Sequence, residues 1–183
     1  MPARPKTSGG QLIEIGIALA TEGGVDAVTI AAVAKVAGIK GPSIYKHFAD
    51  RGALLTAIEI SVLQECEVRL RAAAGKTPKQ RLIAMAHVYR NYVHAAPLLY
   101  SVLYRTNIVN LQALVAVYRA TIQPVFDQFE AAGVPQQRLL PLARTLVAFL
   151  HGFVSMEIAQ AFHLGGGLDA AFAAGIQTIL KEI

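Results

Sequence analysis

The side chains best suited to chemistry in this chain lie close together after one proline: Ser43, Tyr45, Lys46 and His47. Hydroxyl, aromatic and basic groups of this kind donate hydrogen bonds to phosphate oxygens and to the edges of bases. Ile44 and Phe48 are four residues apart, so they share one face of a helix and leave the polar set for the other faces. A hairpin inside a helical bundle, the alternative, would need the two apolar residues but not the polar ones. The pattern therefore favours contact with the major groove of DNA.

Two short helices and a tight turn must position this stretch. Thr29 is predicted to cap the first helix, because its hydroxyl can accept a backbone N–H. Gly38 is predicted to end that helix in the left-handed conformation that glycine adopts without strain. Gly41-Pro42 then begins the second helix, where the N–H that proline lacks is not needed. The pattern of residues 29–48 therefore predicts a helix-turn-helix, a motif whose second helix enters the major groove.

Composition sets the fold class. Hydrophobic residues make up 54% of the 183 residues and charged residues only 16%, so much of the helix surface must be buried. The many alanines and leucines and the few prolines favour an all-α fold. The formal net charge of +5 suits a nucleic-acid partner. Residues 1–55, however, carry six Lys or Arg against four Asp or Glu. The prediction of DNA binding therefore depends on the motif and not on bulk charge.

The helix-turn-helix region resembles the DNA-binding domain of the TetR family of bacterial transcriptional regulators. The resemblance covers about a third of the chain and is carried by GIKGPSIYKHF at residues 38–48, followed by an Asp-Arg pair and a Leu-Leu pair. It implies a three-helix DNA-binding domain at residues 8–55 and a larger helical ligand-binding and dimerisation domain at residues 56–183, with about nine helices in all. It also implies a regulator, expected to be a repressor that a small ligand releases from DNA.

The sequence departs from the family pattern at two positions. Lys40 stands where a serine usually caps the recognition helix, which is expected to leave the capping to Gly41. Gly52 stands where an acidic or other polar residue is usual, which is expected to weaken the start of the next helix.

The resemblance implies a role for each residue of the motif. Thr29 can contact a phosphate, and residues 41–43 present the recognition helix to base edges. Tyr45 and His47 are expected to contact the DNA backbone, and Lys46 either a phosphate or a guanine. Arg51 stands where the family often places a basic residue that binds a phosphate. The predicted DNA-contacting residues are Thr29, Lys40, Gly41, Pro42, Ser43, Tyr45, Lys46, His47 and Arg51. Arg4 and Lys6 are candidates for an arm in the minor groove, although a loose tail is an equal alternative.

Helical periodicity and breaks at glycine and proline extend the prediction along the chain. The first seven predicted helices cover about residues 8–22, 29–37, 41–48, 50–74, 77–95, 96–104 and 107–132. The eighth begins between Pro135 and Pro141 and runs to about residue 163, and the ninth covers residues 168–182. Asp50 is expected to cap the fourth helix, and Glu59 to lie on its solvated side. Asn107 or Asn110 is expected to begin the seventh helix, and Pro124 to kink or split it.

The eighth predicted helix is apolar nearly all round, which indicates burial on more than one side. A second subunit is the economical partner. The family resemblance likewise implies a homodimer through the last two long helices, bound to a palindromic operator. Phe153 and Ile176 are candidate interface residues.

Aromatic residues spread over the fifth to eighth helices predict an apolar effector pocket, with tyrosine hydroxyls or His151 as its polar groups. The candidate effector-binding residues are Tyr89, Tyr92, Tyr104, Tyr118, Phe149, His151, Phe153 and Met156. The alternative for each residue is a place in the core. Leu150-His151-Gly152 partly matches the Trp-His-Gly tripeptide of one type of TetR-family ligand domain. The expected effector is a small apolar or amphipathic molecule.

Other functions find little support in the sequence. The five histidines lack metal-ligand spacing, and neither a phosphate-binding loop nor a nucleophile elbow is present. No metal, cofactor or enzymatic activity is therefore expected. A single cysteine, the lack of a signal peptide and the lack of an apolar run of about 20 residues predict a cytoplasmic protein without a membrane partner. The alternative function is a helical ligand-binding or protein-interaction module that has lost specific DNA binding.

Overall fold

The computed structural model describes residues 7–104 and 111–183, and every regular element in them is helical, which confirms the all-α fold. The α-helices of these residues are α1 (Gly9–Ala27), α2 (Ile30–Ala37), α3 (Gly41–Ile44), α4 (Arg51–Arg71), α5 (Pro78–Ala95), α6 (Pro97–Tyr100), α7 (Leu111–Ala131), α8 (Gln136–Ile158) and α9 (Leu168–Ile179). Short 3-10 turns follow α6 and α9. The predicted arm with Arg4 and Lys6, and the predicted helix start at Asn107 or Asn110, lie outside the described residues.

The helices form two compact units. The N-terminal unit contains residues 1–64 and 96–117, and the C-terminal unit contains residues 65–95 and 118–183. Both α4 and α7 contribute to each unit. The division within α4 falls between Gln64 and Glu65, whereas the predicted domains divide at residue 55.

In the N-terminal unit, α1 packs against α2 and against α6 with its 3-10 turn. Leu12, Val33 and Ile44 are completely buried in the core of this unit. The buried side chain of Ile58 in α4 packs directly on Gly16 of α1, where an added Cβ would collide with it. The three helices of the motif are therefore held by shared apolar contacts and not by the turn alone.

Side chains cap three helix starts in the N-terminal unit, and the caps at Thr29 and Asp50 are those predicted. Ser8 and Gln11 form a capping box before α1, with hydrogen bonds of 3.0 and 3.2 Å. The hydroxyl of Thr29 accepts a hydrogen bond from the Ala32 N–H at 3.0 Å, and the carboxylate of Asp50 accepts one from the Ala53 N–H at 2.7 Å. These bonds satisfy N–H groups that have no partner within the helix.

Two predicted helix ends are wrong, and a third is confirmed. The first helix ends as predicted at Gly24 (φ 70°, ψ −173°), and a separate turn follows the kink and continues to Ala27. The fourth ends at Arg71 and not near residue 74. The eighth ends at Ile158 and not near residue 163, because Gln160 adopts a left-handed conformation and lets the Ala161 N–H donate to the Met156 carbonyl at 2.9 Å.

One further expectation differs from the structure, and another is settled only in part. Pro124 lies inside α7 and does not split the helix, whereas a kink at Pro124 stays a prediction. Glu59 is buried, with 1% of its surface exposed, and does not lie on a solvated face of α4. The helical period placed Glu59 among charged neighbours, but the packing of the N-terminal unit covers this side of the helix as well.

In the C-terminal unit, α8 packs against α5 and α9. The buried residues of α8 recur every three or four positions and so lie on one side of the helix: Leu139, Ala143, Leu146, Leu150 and Val154. The side away from it leaves Leu140, Val147 and Ile158 exposed by 48%, 38% and 36%. By length and composition alone, α8 is also apolar enough to cross a membrane, with a mean hydropathy of 1.5.

Candidate nucleic-acid interface

The turn between α2 and α3 is closed by backbone hydrogen bonds at Gly38. Gly38 has φ 65°, and its N–H donates to the Lys35 carbonyl at 3.2 Å. The Ile39 N–H donates to the Ala34 carbonyl at 3.0 Å. This pair of bonds satisfies the last carbonyls of α2 and reverses the chain in three residues. The predicted helix end at Gly38 is confirmed.

The recognition segment (residues 41–48) is a single turn of α-helix followed by an irregular turn. The carbonyl of Ile44 accepts hydrogen bonds from the N–H groups of His47 and Phe48, at 2.9 and 3.0 Å. The helix is therefore shorter than predicted. Lys40 occupies the N-cap position without a side-chain capping bond, and Gly41 is already the first helical residue. The expectation that Gly41 takes over the capping is wrong, because Gly41 lies inside the helix and Lys40 stands at the N-cap.

The exposed side of the recognition segment carries the polar residues singled out in the sequence. Ile44 is fully buried and anchors the segment, whereas Tyr45 is 55% exposed and Lys46 and His47 are also exposed. Of the other predicted DNA contacts, Thr29, Lys40 and Pro42 are exposed, and Gly41, Ser43 and Arg51 are half-buried. The structure thus presents three consecutive donors on a firmly seated turn.

The start of α1 lies beside the recognition segment. A Cβ added to Gly9 would lie 3.7 Å from His47 Nδ1 and 3.9 Å from Phe48 Cζ. The ring centroids of His47 and Phe48 are 6.5 Å apart. These are ordinary van der Waals distances, so a small side chain at position 9 would also be accommodated between the first turn of α1 and the recognition segment.

Arg51 makes contacts that the sequence did not predict. Its Nε donates to the Val28 carbonyl at 2.6 Å, and its Nη2 donates to the Val25 carbonyl at 2.7 Å. Nη2 also lies 3.8 Å from the carboxylate of Asp26. One edge of the guanidinium is thereby occupied by the junction between α1 and α2. A phosphate contact by Arg51 stays a prediction.

An open groove of about 590 Å³ lies in the N-terminal unit. It is lined by Thr7, Gln11, Glu14, Ile15, Val36, Ala37, Gly38 and Ile39. None of these residues belongs to the predicted effector set.

The structure brings two predicted effector residues together in an aromatic cluster of the C-terminal unit. The ring centroids of Phe149 and Phe153 are 5.6 Å apart, and both rings lie against Phe172 of α9, at 5.8 and 5.2 Å. An added Cβ on Gly175 would collide with the Phe149 ring. These two phenylalanines therefore fill the packing between α8 and α9.

Two predicted effector tyrosines pack against the same core. Tyr89 and Tyr92 of α5 are half-buried. The Tyr92 hydroxyl donates to Glu65 at 3.4 Å, and the guanidinium of Arg69 lies 5.1 Å from the Tyr92 ring. Burial, followed by the nearby charge of Glu65, raises the pKa of the Tyr92 hydroxyl. Tyr92 therefore stays a neutral donor near pH 7.

The remaining effector residues are more open. His151 is half-buried, its Nδ1 lies 3.5 Å from Ser155 Oγ, and burial lowers its pKa. Tyr118 and Met156 are 39% and 43% exposed. The side chain of Tyr104 lies outside the described residues. A common effector cavity for the eight residues stays a prediction.

Sequence reasoning missed an ionic network in the C-terminal unit, centred on the largely buried pair of Arg90 and Glu157. Arg90 Nε and Nη2 donate to the two carboxylate oxygens of Glu157 at 2.9 and 2.5 Å, and Nη1 donates to Asp169 at 2.7 Å. His94 Nε2 lies 3.0 Å from Glu157 as well. Two signals pointed to it: Arg90 and His94 are four residues apart on α5, and Glu157 is the only acidic residue in α8.

Comparison with known proteins covers both halves of the chain. Residues 12–58 match the family described as bacterial regulatory proteins, tetR family, and residues 82–179 match the tetracyclin repressor-like C-terminal domain. An uncharacterized HTH-type transcriptional regulator of Mycobacterium tuberculosis is 31% identical over 159 residues, which cover 85% of this chain and 73% of that protein.

Solved structures share the fold. A TetR from Streptomyces coelicolor has a TM-score of 0.77 at 18% identity, with 96% of each chain covered. A TetR variant from Acinetobacter baumannii, in complex with minocycline, has a TM-score of 0.73 at 21% identity, again with 96% of each chain covered.

Proposed function

The chain belongs to the TetR family of bacterial transcriptional regulators, and from this premise we propose that it is a cytoplasmic homodimeric repressor, released from a palindromic operator by a small apolar or amphipathic effector. The observation that carries the DNA-binding part is the exposed run Tyr45-Lys46-His47 beside the fully buried Ile44. Donors held on a rigid turn reach phosphates and base edges without first being ordered, which favours binding.

Dimerisation is supported by the outer side of α8. Leu140, Val147 and Ile158 are separated by seven and eleven residues, so they lie along one side of the helix, away from the subunit's own core. A two-fold dimer through this side and α9 would present two recognition segments to two half-sites. Phe153 and Ile176, the interface residues expected from the sequence, instead pack inside the subunit: Ile176 is 1% exposed and Phe153 lies in the aromatic cluster.

Effector control is supported by the composition of the C-terminal unit and by the path of α4. The Acinetobacter baumannii TetR variant, which shares this fold, binds minocycline. In this chain, α4 begins in the N-terminal unit, and its second half is tied to α5 through Glu65 and Tyr92 and to α7 through Arg71 and Asp127, 3.8 Å apart. A ligand that favours one placement of these helices would shift α4, with a coupling of about 1–3 kcal/mol.

Selection of bound DNA from a random pool tests the function. The expected result is a palindromic site with half-sites a multiple of one helical turn apart. A Tyr45→Ala, Lys46→Ala double variant is the matched control and should select no site. Failure of the unchanged protein to select any sequence would support the alternative, a helical ligand-binding or interaction module that has lost specific DNA binding.

A further inference from the structure

We propose that Arg51 is a positioning residue for DNA recognition, which fixes the recognition segment by bridging the carbonyls of Val25 and Val28. The inference rests on the proposed DNA-binding function. It differs from the role that the family pattern suggests, in which a basic side chain at this position contacts a phosphate.

The bridge joins the two ends of the helix-turn-helix. Val28 is fully buried and directly precedes Thr29, the N-cap of α2. Arg51 is the first residue of α4 and follows Phe48, the last residue of the recognition segment, by only three positions. The two hydrogen bonds of 2.6 and 2.7 Å therefore connect residues 23 and 26 positions apart. They close the motif into a loop whose ends cannot separate while the bridge holds.

The chemistry of the bridge requires arginine. The interruption at Gly24 leaves a single turn after it. The Val25 carbonyl in this turn accepts one backbone hydrogen bond, from the Val28 N–H at 3.3 Å, and its second lone pair remains for the guanidinium. A planar guanidinium presents two parallel N–H groups to the two oxygens, whereas the ammonium of a lysine acts as a point charge without this fixed geometry. Asp26, 3.8 Å from Nη2, further favours a cation held at this place and not at a phosphate.

The position of Asp50 links the bridge to the recognition segment. Its carboxylate caps α4 through the Ala53 N–H, so the first turn of α4 begins at a defined residue. Between Phe48 and Arg51 only Ala49 and Asp50 remain to absorb a change of angle. Loss of the bridge should therefore alter the orientation of Tyr45 and Lys46 without removing any group that touches DNA.

The experiment compares Arg51→Lys and Arg51→Gln with the unchanged protein, at a temperature where circular dichroism shows each to be folded. Affinity for the selected palindromic site is measured over a range of salt concentrations. Hydrogen exchange of the amides of residues 28–33 is measured in the absence of DNA, with those of α9 as the internal reference. Lys35→Gln, an exposed residue of α2 outside the predicted contacts, is the matched charge control.

The expected result is a loss of affinity of about tenfold or more in both Arg51 variants, an unchanged log–log salt slope in Arg51→Lys, and faster exchange at residues 28–33. Three results would overturn the proposal. The first is full affinity in Arg51→Lys together with a log–log salt slope in Arg51→Gln that falls by about 0.9 for each phosphate no longer neutralised. The second is unchanged hydrogen exchange at residues 28–33 in both Arg51 variants. The third is unchanged affinity for the palindromic site in both variants. Absence of site-specific binding by the unchanged protein would instead reject the proposed function, and the exchange arm would still report whether the bridge holds α2.

Discussion

Arg90 donates two hydrogen bonds from one edge of its guanidinium to the carboxylate of Glu157: Nε donates at 2.9 Å and Nη2 at 2.5 Å. The Glu157 side chain is 5% exposed and that of Arg90 15%. The same guanidinium lies 4.7 Å from the Phe172 ring centroid and reaches Asp169 at the start of α9. The pair therefore joins α5, α8 and α9 within the C-terminal unit.

Glu157→Gln should lower the free energy of unfolding by about 3 kcal/mol, because it leaves a largely buried guanidinium with only the exposed carboxylate of Asp169 as a charged partner. The measurement is urea unfolding at pH 7. Asp169→Asn is the control: it removes the same charge from the same arginine, but Asp169 is 92% exposed and the loss should be much smaller. Equal losses in the two variants would contradict the assignment.

The pH dependence of stability should report the same carboxylate. Burial alone would raise the pKa of Glu157, but hydrogen bonds from Arg90 and then His94 lower it overall from its ordinary value of 4.5. A lowered pKa in the folded state means that the stabilisation is complete above about pH 4.5 and is lost as the pH falls through the folded-state value. Urea unfolding between pH 7 and pH 3 should show the difference between the unchanged protein and Glu157→Gln shrinking below pH 4.5. A constant difference would count against the pair.

Lys46→Gln should weaken operator binding and reduce the log–log salt slope by about 0.9 for each phosphate that Lys46 neutralises, hence by about twice that for the two copies in a dimer. Fluorescence anisotropy between low and moderate salt measures both quantities. Lys35→Gln changes the net charge equally and should leave the slope nearly unchanged. A normal slope with relaxed sequence preference in Lys46→Gln would assign Lys46 to a guanine and not to a phosphate.

Val147→Glu should dissociate the dimer while leaving the subunit folded, because Val147 is exposed on the outer side of α8 and a carboxylate is costly to bury in an apolar interface. Light scattering gives the mass, and circular dichroism gives the helix content. Gln137→Glu places the same charge at an exposed position of the same helix and should remain dimeric. Ile176→Glu should instead unfold the C-terminal unit. A Val147→Glu protein that stays dimeric at micromolar concentration would place the interface elsewhere.

Gly175→Ala should destabilise the protein by about 1–3 kcal/mol, the usual effect of overpacking, since the new methyl group would collide with the Phe149 ring. Gly152→Ala is the matched variant in α8, where an added Cβ meets nothing within 4 Å. Removing a helical glycine there should stabilise the protein by about 0.5–1 kcal/mol. Urea unfolding at one protein concentration compares the two. A stable Gly175→Ala protein would mean that Phe149 can move aside.

The sequence by itself determined the features that depend on neighbouring residues. Thr29, Gly38 and Asp50 are each recognisable because a cap or a left-handed turn is formed within four residues along the chain. The inward placement of Ile44 and Phe48 also followed from helical spacing, as did the exposure of Tyr45, Lys46 and His47 between them. The resemblance to the TetR family added the fold of the C-terminal half, which composition alone left open.

Only the tertiary structure decided which partner each polar or aromatic group meets across long sequence separations. Arg51 bonds to carbonyls 23 and 26 residues away, and Arg90 bonds to a carboxylate 67 residues away. Glu59 is covered by packing that helical periodicity does not encode, and Phe149 fills a space created by a glycine on another helix. Periodicity shows which side of a helix is apolar, but it cannot show which element covers that side, since this depends on how the helices pack in three dimensions.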